Sequence, residues 1–157
     1  MNDLNALSQV AEFHTTFKHP IVAKAAIPSK ERAQLRIELL AEELKELQEA
    51  VSDNNLVEIA DALCDLQYVL AGAVLEFGLG EKFKELFDEV HRSNMSKACK
   101  TVEEANETIA YYKNKSNVDA HYKEIDGLFL VYRDADHKTL KSIAYSPADL
   151  ESIVNRS

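Results

Sequence analysis

Apolar positions recur at helical spacing as far as about residue 116 and then switch to an alternation of two. Leu7, Val10, Phe13 and Phe17 mark one side of a first helix over residues 4–17. The stretch 19–29 holds two of the three prolines and predicts a loop. Ser29 is placed to cap a second helix that runs to about Val51. There Leu40, Leu44, Leu47 and Val51 form an apolar stripe, and Glu43 falls about 60° from its centre. SDNN at 52–55 predicts a turn and a cap for a third helix, Leu56 to about Phe77, apolar nearly all round. GLG at 78–80 ends it. A fourth helix is predicted from Glu81 to about Ala98, with Phe83, Leu86, Phe87 and Val90 inward, and a fifth in TVEEANETIAYYKNK, with Thr101 and Glu104 at capping-box spacing. HYKEI, Asp126-Gly127 and LFLVYRD then spell a hairpin, LKSIAY a third strand, and SPADLESIV a closing helix with Ser146 as cap and Pro147 at its first position. The expectation is a mainly α fold: an antiparallel four- to five-helix bundle with a small C-terminal β-hairpin or meander and a short final helix. It reads as a single domain, 1–157, with a helical core over 1–116 and a small β-containing extension over 117–157 that is too small to fold alone.

Composition narrows the class. The chain has 157 residues, 46% of them apolar, enough for one core. Its 27 acids against 18 Lys plus Arg give a net charge of -9, which argues against binding a nucleic-acid polymer or an anionic membrane surface. An anionic substrate stays open where a bound cation reverses the local sign. No signal peptide or membrane-spanning stretch is expected. Cys64 and Cys99, the two cysteines, are not at CxxC spacing and read as free thiols of a cytoplasmic protein.

The acids of the middle helices are the unusual feature. From Leu56 to Leu75 the only charged residues are Glu58, Asp61 and Asp65, all within a sector of roughly 60°. The preceding helix, joined by a four-residue turn and so antiparallel, brings Glu42, Glu43 and Glu46. Singly, such acids are ordinary solvated surface groups. As a set, carboxylates facing carboxylates call for cations, and oxygen-only donors select hard divalent ions, Mg²⁺ with Mn²⁺ as substitute. A di-iron bundle requires two Glu-x-x-His pairs; the acid helices hold no histidine, and Asp88-x-x-His91 is a single partial match.

EELKE at 42–46 followed by EIAD at 58–61 resembles the EExxE…ExxD pattern of the all-α nucleoside triphosphate pyrophosphohydrolases, the superfamily of MazG, phosphoribosyl-ATP pyrophosphohydrolase and the dimeric dUTPases. The likeness covers roughly residues 30–100. HRSNMSK at 91–97 and LKSIAYSPADL at 140–150 look like a MazG-like branch with a C-terminal extension. The resemblance implies Mg²⁺ ligands at Glu43, Glu46, Glu58 and Asp61, and a proton-accepting base at Glu42. Asp65, one turn further on, would support a ligand or a water. In the SNMSK segment it implies that Asn94 and Lys97 hold phosphates, with Ser93 and Arg92 as weaker candidates; Lys97 reaching to water and His91 pairing with an acid are the plainer readings. Phe13, His14 and Phe17 either pack as core or bound a base, and Tyr122, Tyr132 and Tyr145 either cover the site or pack an interface.

The implied activity is Mg²⁺-dependent cleavage of a (d)NTP to (d)NMP and pyrophosphate, in the manner of nucleotide-pool house-cleaning. The implied assembly is a homodimer or homotetramer. Two alternatives stand beside it: a phosphoribosyl-ATP pyrophosphohydrolase, and a non-catalytic helical nucleotide-binding or interaction module.

Overall fold

The computed structural model describes residues 4–156. It divides into two compact units, one ending at Phe83 and the other running from Lys84 to Arg156. The sequence pattern places the internal division near 116, where the period changes. The division falls earlier because the helix over residues 102–116 packs against the hairpin that follows it. Among the described residues no single helix is long and apolar enough to cross a membrane.

The first unit is built on α1 (Ala6–Phe17), α2 (Lys30–Ser52) and α3 (Leu56–Glu76). Ser29 caps α2 by accepting from the Arg32 amide at 3.3 Å, and Asn55 caps α3 by accepting from the amides of Val57 and Glu58. The short turn between them makes α2 and α3 an antiparallel pair, and α1 packs on α3 through Val10, Ala71 and Leu75. The α1–α2 loop is tied to the end of α3: the Val22 amide donates to the Leu75 carbonyl and the Ala26 amide to that of Phe77, both at 3.0 Å. Gly78, at φ +67°, turns the chain out of α3, and a Cβ there would stand 2.0 Å from the Lys24 carbonyl oxygen.

Two expectations about these helices change. The buried side of α2 carries Arg36 and Ala50, while Leu44 and Val51 are about half exposed, so Glu43 sits nearer the centre of the inward face than the apolar stripe suggests. Helix α3 is not buried all round. Apart from Ala62, its sealed positions, Ala71, Gly72, Val74, Leu75 and Glu76, crowd its C-terminal end, whereas Leu56, Val57 and Leu63 are exposed.

The second unit contains α4 (Phe83–Met95), entered through a 3₁₀ turn at Gly80–Lys82, then α5 (Val102–Ser116), β1 (Ala120–Ile125), β2 (Leu128–Arg133) and α6 (Leu150–Val154). Thr101 caps α5 as its spacing predicts, accepting from the Glu104 amide at 3.1 Å. Asp126 and Gly127 both take positive φ, the mark of a two-residue type I′ turn, and set an antiparallel register from Ala120↔Arg133 to Ile125↔Leu128. The hairpin covers a core of Cys99, Ala105, Val131 and Leu140. Three details differ from expectation. LKSIAY forms no third strand, because beyond the Leu140 amide bonding to the Val131 carbonyl its polar groups go to Ser93, Lys97, Glu104 and Thr108. The cap of α6 is Asp149, which accepts from Ser152 N, not Ser146. Phe87 is 64% exposed and Val90 borders on exposure, so the inward face of α4 is the one bearing Leu86 and Ser93.

Among the described residues the deepest charged group is Glu76, with no exposed surface. Arg32 Nε donates to Glu76 Oε2 at 2.9 Å, and the Nη2 atoms of Arg32 and Arg36 both donate to Glu76 Oε1. Burial alone would raise the Glu76 pKa; the hydrogen bonds from the two guanidiniums outweigh it and hold the carboxyl below its ordinary value. Removing one partner from a buried pair typically costs about 3–5 kcal/mol. Glu76→Ala is therefore expected to lose about that much stability in urea unfolding, and a loss below about 1 kcal/mol would contradict the role given to the triad.

Candidate functional site

Helices α2 and α3 bring the predicted acids together unequally. Glu43 is half-buried, and its Oε2 is sealed from solvent without a hydrogen-bond partner. Burial is the main influence raising its pKa, and the carboxylates of Glu46, Asp65, Glu42 and Asp61 add to it in that order. Glu42, Glu46, Asp61 and Asp65 thus lie close enough to act on Glu43 while themselves exposed. Glu58 is exposed in the first turn of α3 and is not among the groups acting on Glu43. Among the described residues no lysine or arginine pairs with any of these six acids, and no three of their carboxylates already converge as an ion cage.

The same helix pair handles its other interior acid differently. At the Arg32–Arg36–Glu76 end a buried carboxylate receives three guanidinium hydrogen bonds. About two turns along α2 from Arg36, Glu43 receives none. An orphaned, partly buried carboxylate oxygen ringed by other carboxylates is what a divalent-cation site requires, and the donor set is oxygen only. The residues therefore fit a hard divalent ion. Asp65, which the motif leaves outside, acts on Glu43 ahead of Asp61. Its i+4 spacing from Asp61 was the available signal.

The remaining candidates lie in the second unit. Helix α4 ends at Met95, so Lys97 sits in the turn after it, where its Nζ donates to Asn94 Oδ1 at 2.7 Å. Asn94 is exposed. Ser93 is buried and donates to the Tyr145 hydroxyl at 3.0 Å, the main influence lowering that phenol's pKa. Arg92 makes a two-armed pair with Glu89, at 2.7 and 2.8 Å, and bonds the Pro147 carbonyl at 2.9 Å. Arg92 and Ser93 thus spend their polar groups holding the segment near Tyr145 and Pro147. His91 is exposed. In the first unit His14 is buried, Phe13 borders on exposure and Phe17 is 61% exposed, so only the first belongs to the core.

Residues 10–94 match the family model described as phosphoribosyl-ATP pyrophosphohydrolase. The matched span includes all six acids and Asn94, and stops short of Lys97. The chain is also similar to an uncharacterized protein of Acanthamoeba polyphaga mimivirus, at 26% identity across 85% of this chain and 89% of the viral one.

The raised Glu43 pKa has a measurable consequence. A carboxyl with a higher pKa folded than unfolded makes the fold gain stability as pH falls through the folded value toward the ordinary one, about 4.3. In metal-free protein Glu43→Gln is expected to melt above wild type at pH 7–8, the gap closing as pH approaches that ordinary value. Melting curves across this range check it, and a pH-independent gap would contradict it.

Proposed function

The chain belongs to the phosphoribosyl-ATP pyrophosphohydrolase family, and on that footing we propose that it hydrolyses a nucleoside triphosphate between its α and β phosphates, releasing monophosphate and pyrophosphate. The observation that carries the reading is the orphaned Glu43 carboxylate within a group of unpaired acids, on a helix pair that neutralises its other buried acid with arginine. Glu43, Glu46, Glu58 and Asp61 would hold Mg²⁺, with Mn²⁺ as substitute, and Asp65 stands beside them. When bound, such an ion supplies charge neutralisation on the phosphates and a more acidic water. Glu42, exposed next to the ligand set, accepts the proton of the attacking water as the bond from the α-phosphorus to the bridging oxygen breaks and pyrophosphate leaves. Within the second unit Arg92 and Ser93, engaged with Glu89 and Tyr145, hold the helix end that carries Asn94 and Lys97, which the family resemblance gives as phosphate contacts. A cytoplasmic, nucleotide-clearing role accords with two free thiols.

A second reading has one specific support: the matching family model is named for phosphoribosyl-ATP. It requires the same bond cleavage on a bulkier base, and it predicts turnover of phosphoribosyl-ATP with none of free triphosphates.

We also propose a homo-oligomer, at least a dimer. On α2 the exposed apolar residues Ile37, Leu44 and Val51 repeat every seven positions, and on α3 so do Leu56, Leu63 and Leu70. Heptad-spaced apolar stripes left open on two paired helices are what a second helix pair covers.

Incubation with Mg²⁺ and a panel of triphosphates should release pyrophosphate. Glu43→Gln and Asp61→Asn should each lose on the order of 10²-fold or more in turnover while staying folded; wild-type turnover in either would remove the assignment. In sedimentation the protein should exceed its monomer mass, and Leu63→Glu should shift it toward monomer.

A further inference from the structure

A cavity of about 410 Å³ lies wholly within the first unit, in the usual size range for small-molecule sites of roughly 300–1,000 Å³. Its walls are apolar or aromatic: Val10, Phe13, Leu35, Leu39, Tyr68 and Val69. The Phe13 ring stacks on His19 at 5.6 Å between centroids and meets the Tyr68 ring edge-on at 5.7 Å. Arg36 lines the cavity and is 93% buried, yet its Nε has no hydrogen-bond partner. A buried N–H without an acceptor costs free energy unless something else supplies one.

The neighbouring acceptors are already taken. Both Glu76 oxygens accept from guanidinium groups. His14 Nδ1 lies 2.8 Å from the Pro20 carbonyl, which requires the proton there and leaves Nε2 to accept from Arg36 Nη2 at 3.2 Å. Burial, the largest influence, lowers the His14 pKa, in keeping with that neutral ring. Gly72 leaves the room: a Cβ there would come within 2.8 Å of Arg36 Nη1 and 3.1 Å of His14 Nε2. The other polar lining groups belong to Arg32, a donor, and to exposed His19 and Tyr68, which can turn to water. The buried wall of this aromatic slot is therefore donor-only.

We propose that this cavity takes the nucleobase of the substrate and selects rings whose buried edge carries a carbonyl acceptor, of the uracil or hypoxanthine type, over adenine and cytosine, whose exocyclic amino group would face another donor. The inference rests on the nucleotide reading above. The flat apolar walls suit a ring and give a phosphate little to bond, although the two guanidiniums against one carboxylate leave a net positive charge. The position along the helices also agrees. Leu39 is one turn before Glu43 on α2 and Val69 one turn after Asp65 on α3, so base and acids would be about 6 Å apart along the pair.

The test uses binding without turnover. Metal-free full-length protein is titrated with the 5′-monophosphates of uridine, inosine, adenosine and cytidine, following the ring protons of Phe13, His19 and Tyr68 by NMR. Uridine and inosine monophosphates should bind about tenfold or more tighter than the other two, the factor expected when a buried donor goes unmatched. Arg36→Lys, which keeps a charge for Glu76 and removes the Nε–H, should abolish the preference. Phe13→Ala, away from the triad, should weaken all four by about tenfold through lost stacking. Should Arg36→Lys fail to fold, the wild-type ranking and Phe13→Ala still decide. Equal affinities, unmoved ring protons, or displacement of the monophosphates from these rings by inorganic phosphate would overturn the proposal. Base selectivity without pyrophosphate release would overturn the reaction and leave the pocket; release without selectivity would do the reverse.

Discussion

Removing a carboxylate from water is unfavourable unless something charged meets it. The α2–α3 pair faces that constraint twice and meets it in two ways. At one end Glu76 is enclosed and fully bonded by Arg32 and Arg36, a closed arrangement that stabilises the fold. At the other, Glu43 keeps an oxygen out of water with no partner, and its neighbours are more carboxylates. A helix pair that supplies arginine at one level and none at the next leaves the second level, under the function proposed above, to a counter-charge from outside the chain. On that proposal fold stability and chemistry are divided along one antiparallel pair.

The exposed rows Ile37–Leu44–Val51 and Leu56–Leu63–Leu70 belong to those same helices. The inward side of α2 is given to Arg36, Glu43 and Ala50, and that of α3 to small residues with Val74, Leu75 and Glu76, which leaves much of the aliphatic content facing out. That division explains why α3, apolar by composition, is not sealed within a single copy. In the second unit the long return segment after the hairpin, through Ser142, Tyr145 and Ser146, bonds Glu104, Ser93 and Ser96 and anchors the end of α4, with Asn94, and the turn after it, with Lys97.

Local signals were legible where one residue decides the backbone. Ser29, Asn55 and Thr101 cap the helices their positions predict, and Asp126-Gly127 makes the hairpin its dipeptide announces. Ser146 misled because Asp149 competes for the same helix start with a stronger acceptor. Helix orientation was harder. Counting Leu44 and Val51 as inward assumed that apolar residues mark the core, whereas Arg36 and Glu43 define the buried side of α2. Burial of an arginine depends on a glutamate 40 positions away, which no periodicity reports. Asp61 and Asp65 were readable beside Glu43 because they interrupt an otherwise uncharged stretch from Leu56 to Leu75, whereas Glu58, from the same stretch, is not among the groups acting on Glu43. The cavity beside these acids was not readable, since it is assembled from α1, α2, α3 and a loop histidine.

The two glycines at positive φ differ in what surrounds them. At Gly78 the space is filled by the Lys24 backbone, so the position tolerates no side chain and locks the length of the preceding loop. At Gly127 a Cβ would meet nothing within 4 Å. A fluorophore or affinity handle carried at the hairpin tip would accordingly meet no neighbouring group, with only the positive φ of Gly127 to respect, whereas the loop over residues 18–29 is where an engineer should not cut.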